Sequence, residues 1–254
     1  MLQIHQFPCL SDNYGFLIHD KESGATAVID TPDAGEILRQ ADAKGWRITD
    51  IWNTHWHPDH AGGNAEIKAK TGARVTGPAE VERIGAAPDR IVDEGDSVKL
   101  GNLTARVLNV GGHTLGHIAY VFDEAKVAFV GDALFSMGCG RLFEGTPQQM
   151  WTSLQKIAAL PDDATLYCAH EYTQSNARFA ISIDQDNAAL RERVAEVERL
   201  RADDKPTVPM TLRREKATNP FLRAPLLKAV IAMPNAQDWE AFGEIRRRKD
   251  EFKG

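Results

Sequence analysis

The stretch Thr54-His55-Trp56-His57-Pro58-Asp59-His60-Ala61-Gly62-Gly63-Asn64 holds three of the chain's eight histidines and one carboxylate within the six positions from His55 to His60. Alternate residues of an extended segment project to one side, so His55 and His57 can converge on one ion at the end of a strand. Pro58 fixes its own φ and carries no N–H. The ladder therefore stops there, and Asp59 and His60 are free to aim at a second, adjacent point. Imidazole with carboxylate suits zinc, iron or manganese, whereas calcium and magnesium take oxygen ligands. The competing reading is a polar surface loop rich in histidine. Four potential ligands between an apolar run and a Gly-Gly turn argue against it.

Three more strand-like runs end on a potential ligand: Leu103–Val110 before His113, Lys126–Val130 before Asp132, and Ala164–Ala169 before His170. Singly, His113 or His170 reads as a buried, hydrogen-bonded histidine; with the opening cluster, both read as ligands. His55, His57, Asp59, His60, His113, Asp132 and His170 then make seven candidates. A structural zinc is closed by four ligands, so seven fit two ions sharing one carboxylate, with Asp132 a reasonable bridge. Two ions about 3.5–4 Å apart can hold a hydroxide at neutral pH, polarise a carbonyl and stabilise its oxyanion. The expected reaction class is hydrolysis of an acyl or phosphoryl group, with Asp59 and Asp132 helping to hold the hydroxide. His5 and His19, without evident partners, read as structural or surface residues, and His117 as a core residue or one behind a ligand. Asp93, Glu94 and Asp96 read as a solvated loop.

The elements that must position these residues are legible in outline. Leu2–Phe7, Tyr14–Asp20 and Ala25–Thr31 read as a β-meander broken by polar turns. A helix is expected from Asp33 to near Gly45, and Ile48–Asn53 reads as the strand that delivers His55. Gly62-Gly63 opens a helix of about ten residues ending near Gly72. Ala73–Thr76 follows as a strand, and Ser97–Leu100 with Leu103–Val110 flank a tight Gly101-Asn102 turn. Ile118–Phe122 and Lys126–Val130 form a further pair. Thr146-Pro147 is a good helix start, running to Leu160. Beyond Glu171 the pattern turns helical: Ala177–Ile183, Asn187–Asp203, a short helix after Pro225, and Asp238–Phe252. Sites in layered α/β folds gather where strand ends meet one edge. A domain over residues 1–168 is therefore expected to carry the metal site. A helical domain over 169–254 would follow, with His170 at the seam.

At 254 residues, with 43% hydrophobic and 26% charged residues, the composition is that of an ordinary globular protein. No apolar run approaches the ~18 residues of a membrane span. Cys9, Cys139 and Cys168 are far apart and odd in number, which points to a reducing, cytoplasmic setting without a disulfide framework. The N-terminal residues show no basic-then-apolar signal pattern. Of the net charge of -6, residues 1–170 hold -8 and residues 171–254 hold +2. The acidic part contains the ligands. The basic excess is too small for nucleic-acid binding, yet could hold a small anion. A monomer is expected.

Taken together, Thr54-His55-x-His57-x-Asp59-His60, Gly112-His113-Thr114-x-Gly116-His117, Gly131-Asp132 and His170 resemble the metallo-β-lactamase superfamily. The resemblance implies an αββα sandwich with a dinuclear site at one edge. It assigns His55, His57 and His113 to one metal and Asp59, His60 and His170 to the other, with Asp132 bridging. Zinc is expected, with iron or manganese as alternatives. Asp12-Asn13-Tyr14, Gly138-Cys139-Gly140-Arg141, His170-Glu171-Tyr172-Thr173, Asn219-Pro220-Phe221 and Arg246-x-x-Lys249-Asp250-x-Phe252-Lys253 extend the likeness to the glyoxalase II (hydroxyacylglutathione hydrolase) branch. That branch implies cleavage of a glutathione thioester, S-D-lactoylglutathione, in methylglyoxal detoxification, with Arg141, Tyr172, Arg246 and Lys249 contacting glutathione. Phe143 departs from the branch, where a tyrosine is common. Arg246 and Lys249, three apart, share a helix face. Paired cations suit the two carboxylates of glutathione, and a thiolate leaves without a strong general acid. A mononuclear-iron persulfide dioxygenase is the alternative, and would leave Asp59, His60 and His170 without a second ion. An inert metal-stabilised binding protein fits less well with all seven ligands present.

Overall fold

Short apolar-rich runs over the first thirty positions build three antiparallel strands, β1 (Leu2–Cys9), β2 (Asn13–Asp20) and β3 (Thr26–Ile29), with β1 and β2 in register from Leu2 opposite Asp20 to Cys9 opposite Asn13. The computed structural model describes residues 1–85 and 87–254, which form two units: Met1–Asn109 with Gly116–Gly131, and Val110–Leu115 with Asp132–Gly254.

In the first unit, β3 continues into parallel pairing with β4 (Ile48–Trp52), then β5 (Arg74–Gly77) and β6 (Arg90–Ile91). Helix α1 (Ala34–Lys44) makes the first crossover; the Asp33 carboxylate accepts from the Glu36 N–H at its start, and Gly45 ends it in a left-handed conformation. The next crossover carries α2 (Pro58–Ala61) and α3 (Asn64–Thr71). The helix expected after Gly62-Gly63 is α3, capped at Gly72 as read. The short α2 before it was not expected; Pro58 starts it and so places Asp59 and His60 on a helical turn.

Strands β2 and β3 of this sheet are buried on both faces, which is why they read as nearly continuous apolar runs, whereas β1 and β6 at its edges are partly or fully exposed. Leu17, Val28, Ile51 and Val75 pack with Ile37 and Ala41 of α1 and Ile67 of α3. The other face meets a second, antiparallel sheet of β7 (Ser97–Leu100), β8 (Leu103–Asn109), β9 (Ile118–Phe122) and β10 (Val127–Gly131). Phe16 contacts Phe129 at 5.5 Å between ring centroids, and Trp52 contacts Tyr120 at 5.3 Å.

The second unit opens with a short hairpin, β11 (Leu134–Phe135) and β12 (Gly138–Cys139), too brief to be visible in the sequence pattern. Helix α4 (Pro147–Ala158) starts at the Thr146 cap as expected, with a reciprocal capping box to Gln149. After β13 (Thr165–Cys168) come α5 (Thr173–Ile183), α6 (Ala188–Ala202), the short β14 (Met210–Thr211), α7 (Leu212–Thr218), α8 (Ala224–Leu227) and α9 (Asp238–Glu251). Helix α5 starts four residues before the expected position, and α7 was not expected. The buried face of α7 is Leu212, Glu215 and Thr218, so its inward side is mostly polar and gives no apolar stripe. Among the described residues no helix is long and apolar enough to cross a membrane.

The polar face of α7 and the residues after it hold the hairpin. Asn219 Nδ2 donates to the Phe135 carbonyl at 3.0 Å and the Gly138 carbonyl at 2.9 Å. Glu215 accepts from the Met137 N–H at 2.8 Å and the Ser136 hydroxyl at 3.0 Å, and Asn176 donates to the Ser136 carbonyl at 3.1 Å. All of these groups are buried, so each lost bond leaves a desolvated partner. Asn219→Ala strands two carbonyls and is expected to lower stability by about 2–4 kcal/mol. A urea-denaturation midpoint unchanged from wild type would show that water replaces the amide without loss.

Candidate metal centre

Strand β4 runs straight into the opening cluster. His55 is fully buried, His60 nearly so, and Asp59 is about two-fifths exposed at its side chain (39%). What these residues can do depends on which ring nitrogen carries a proton, and the hydrogen bonds decide it. The Thr54 hydroxyl has one hydrogen, given to Asp30 Oδ2 at 2.8 Å. At 3.0 Å from His55 Nδ1 it must therefore accept, so Nδ1 is the protonated nitrogen and the Nε2 lone pair faces His57 Nδ1 at 3.0 Å. The same Asp30 oxygen accepts from His60 Nδ1 at 2.9 Å, so in the neutral ring Nε2 carries the lone pair, 3.5 Å from Asp59 Oδ2. Asn13 donates to Asp59 Oδ2 at 3.1 Å and fixes that carboxylate. Lone pairs and a carboxylate oxygen at such separations repel unless a proton or a cation lies between them.

The second unit repeats the arrangement. His113 Nδ1 donates to the Arg141 carbonyl at 2.8 Å, freeing Nε2 to face Asp132 Oδ2 at 3.4 Å. His170 Nε2 faces the other oxygen, Asp132 Oδ1, also at 3.4 Å. One carboxylate thus offers each oxygen to a different histidine, the disposition a bridge between two ions requires. The His170 ring stacks on Tyr172 at 4.6 Å, tilted by only 2°, which holds its plane. Gly140 allows the close approach: a Cβ there would lie 2.1 Å from the Asp132 carbonyl and 3.0 Å from the His113 ring. The donor chemistry fits divalent metal ions, with second partners on His55, His60 and His113 of the kind that ligating histidines use.

Sequence reasoning missed Asp30 and Thr54 as orienting residues. Asp30, like Asp132, follows an apolar strand, but its orienting role depends on Thr54, twenty-four residues away, which no local pattern announces. His117 is a core residue stacked on His55 at 4.6 Å. His5 and His19 do have partners: His5 Nε2 lies 2.7 Å from Gln40, and His19 stacks on Trp46 at 4.5 Å. Both serve the structure. Asp93, Glu94 and Asp96 are exposed; Asp93 and Glu94 accept from Asn109, and Asp96 from the Asp93 N–H. Burial pushes the Cys139 thiol up to about 11 and Cys9 up to about 12, so neither is a nucleophile at neutral pH.

The expected substrate-binding residues all lie in the second unit. Arg141 is largely exposed and stands 3.9 Å from Asp250. Arg246 is buried; it donates to the Cys139 carbonyl at 2.8 Å and to Asp250 at 2.8 Å. Lys249 Nζ donates to the Ser175 carbonyl and hydroxyl at 3.2 and 3.1 Å. Burial first, then the neighbouring Arg246, Arg178 and Arg141 cations, push its amine down to about 8. Phe143 is exposed, 5.2 Å from the His113 ring. Arg247 and Arg248 spend their charge on Glu244, and Arg247 also pairs with Glu251.

Comparison with known proteins covers the whole chain. Residues 13–170 match the profile described as the metallo-beta-lactamase superfamily, and residues 171–252 match the hydroxyacylglutathione hydrolase C-terminus. A hydroxyacylglutathione hydrolase of Erythrobacter litoralis is 58% identical over 252 residues, 99% of this chain and 100% of that one. One of Hyphomonas neptunium is 57% identical over 254 residues, 99% of each. Among solved structures, ETHE1 from Myxococcus xanthus superposes with a TM-score of 0.69 at 23% identity, covering 96% of this chain and 90% of its own. The BLEG-1 B3 metallo-beta-lactamase gives 0.67 at 19%, covering 87% and 99%. These two likenesses speak to the fold.

Asp30→Asn removes the acceptor that sets the His60 and His55 rings. Metal affinity, measured by competition with a chromophoric chelator, is expected to fall about 10–100-fold. Equal affinity in the variant would remove Asp30 from its orienting role.

Proposed function

We propose, for a chain that belongs to the hydroxyacylglutathione hydrolases of the metallo-beta-lactamase superfamily, that its substrate is S-D-lactoylglutathione, cleaved to D-lactate and glutathione at a dinuclear metal site. The fold is mixed α/β, a metallo-beta-lactamase fold followed by a helical C-terminal domain, and the enzyme is a glutathione thioester hydrolase. The observation that carries the reading is identity of 58% over essentially the full length of a relative with that activity in its name.

His55, His57 and His113 would hold one ion, Asp59, His60 and His170 the other, and Asp132 would bridge. Two divalent ions, zinc by preference and iron or manganese otherwise, would polarise the thioester carbonyl and supply hydroxide at neutral pH. The protein's own part is to set the tautomer and aim of the rings, through Asp30, Thr54 and the Arg141 carbonyl. Asp59 and Asp132 keep their oxygens on the reacting side and help to hold the hydroxide. No strong general acid is needed, because a thiol of pKa near ~8.5 leaves readily as thiolate.

The glutathione moiety is gripped by Arg141, Tyr172, Arg246 and Lys249. Arg246 also holds the Cys139 carbonyl and the Asp250 carboxylate that faces Arg141. The residue at 143 is phenylalanine, so no hydroxyl reaches glutathione from that position.

Purified protein reconstituted with zinc is expected to hydrolyse S-D-lactoylglutathione, to lose that activity to a chelator, and to contain two ions per chain by elemental analysis. Inactivity with both ions present would sink the reading. One iron per chain, with oxygen uptake on glutathione persulfide, would favour the dioxygenase instead. A second expectation concerns pH. The Lys249 amine is held down to about 8, so it is charged below that value and loses its proton as pH rises through it. KM should therefore climb above pH 8 while kcat does not follow, and Lys249→Arg should flatten the climb, since a guanidinium stays charged. A KM profile identical in wild type and Lys249→Arg would exclude Lys249 from the grip.

A further inference from the structure

We infer that Asn53, Asn64 and Thr31 are positioning residues for one of the two metal positions, the one that includes Asp59 and His60; the inference rests on the dinuclear site given under Proposed function and deepens it.

Helix α2 is a single turn, too short to hold its own shape. Carbonyls in the last turn of a helix lack partners within it and must find them elsewhere. The Asp59 carbonyl accepts from Asn13 Nδ2 at 3.3 Å. His60 is 1% exposed, so its carbonyl has no water to turn to. It accepts instead from the Thr31 N–H at 2.7 Å and from Asn53 Nδ2 at 2.9 Å.

A primary amide donates two hydrogens and accepts at its oxygen, and Asn53 uses all three. Its second hydrogen goes to Asn64 Oδ1 at 3.2 Å, and its own Oδ1 accepts from Asn64 Nδ2 at 2.7 Å. The Thr31 hydroxyl gives its one hydrogen to Asn64 Oδ1, also at 2.7 Å. Every bond direction is thereby set, since reversing either amide would face like atoms with like. Thr31, Asn53 and Asn64 are fully buried, so each bond lost strands a desolvated group.

These side chains are themselves fixed to the ends of β3 and β4. The Asn53 N–H donates to the Thr76 carbonyl at 2.9 Å, and its carbonyl accepts from the Tyr120 hydroxyl at 2.8 Å. The Gly63 N–H donates to the Thr31 carbonyl at 2.9 Å, an approach that a Cβ at Gly63, 2.8 Å from that carbonyl, would block. Asp30 aims the His60 ring; the paired amides fix the backbone that carries it. His55 and His57 precede the turn and depend on other bonds. The Thr54 N–H donates to Asp30 Oδ1 at 2.7 Å, and the Thr54 carbonyl accepts from the Ile118 N–H at 2.9 Å. Loosening the amides therefore displaces Asp59 and His60 and leaves the segment before Pro58 in place.

The test is zinc affinity for each ion, by competition with a chromophoric chelator, with metal content from elemental analysis. In Asn64→Ala one ion should bind about 10–100-fold more weakly and the other as in wild type. Thr31→Val removes one hydroxyl and should weaken the same ion about two- to tenfold, with Thr31→Ser close to wild type. Where Asn64→Ala does not fold, the two Thr31 variants carry the same comparison. Ile37→Ala, a buried change on α1 that lowers stability without touching the amides, should bind both ions as wild type does. Adding Asn64→Ala to His60→Ala, which already lacks the ion in question, should change the remaining ion no further. Affinities equal across wild type and the Asn64 and Thr31 variants would overturn the inference, as would a loss shared by both ions or reproduced by Ile37→Ala. A wild-type chain that takes a single ion would overturn this inference and the dinuclear reading together. A selective loss in a protein that leaves S-D-lactoylglutathione intact would overturn the proposed substrate alone.

Discussion

A neutral imidazole has one nitrogen with a proton and one with a lone pair, and only the second can hold a metal. A fold that presents several histidines to one ion must therefore occupy the other nitrogen of each. Here that is done with three acceptors: Asp30 for His60, the Thr54 hydroxyl for His55, and the Arg141 carbonyl for His113. Asp30 governs two of the rings at once, because its bond to the Thr54 hydroxyl decides which way that hydroxyl faces. The position of Asp30 just after β3, and of Thr54 just after β4, follows from the parallel pairing of those strands. The sheet's register thus reaches the candidate ligand rings through the Asp30 carboxylate.

The second unit solves the same problem with backbone. Residues 133–141 form a segment too short to satisfy its own hydrogen bonds as a sheet, and the surrounding side chains take them up. Asn176, Glu215, Asn219 and Arg246 each hold one or more of its main-chain groups. Burial pushes the Glu215 carboxyl upward, and its donors from Met137, Asn219 and Ser136 oppose that shift. The segment ends at Arg141, whose carbonyl fixes His113 and whose side chain, largely exposed, faces Asp250. On the proposed reading, ring orientation and substrate grip would meet at neighbouring atoms of one residue.

The candidate ligands stood out because their signal is chemical: histidines and aspartates at the ends of apolar runs are few in 254 residues, and each run could be read from its alternation or its apolar character. The long elements were legible for the same reason, from caps such as Thr146 and from periodicity. What stayed hidden were elements whose buried side is polar. Helix α7 turns Glu215 and Thr218 inward, and the β11–β12 hairpin has two-residue strands, so neither leaves an apolar pattern. Asp30 was hidden differently. Its role needs a partner twenty-four residues away, and nothing local to it says that Thr54 will be there.

The held hairpin also limits how this protein could be re-engineered. Sequence profiles divide the chain between residues 170 and 171, which invites a chimera with the downstream portion exchanged for that of another superfamily member. Such a graft would discard Asn176, Glu215, Asn219 and Arg246 together, and with them the anchors of a segment that lies upstream of the cut. The seam that is natural in sequence is therefore not a modular joint. A viable recombinant would have to move residues 133–141 along with the helices, as one inherited block.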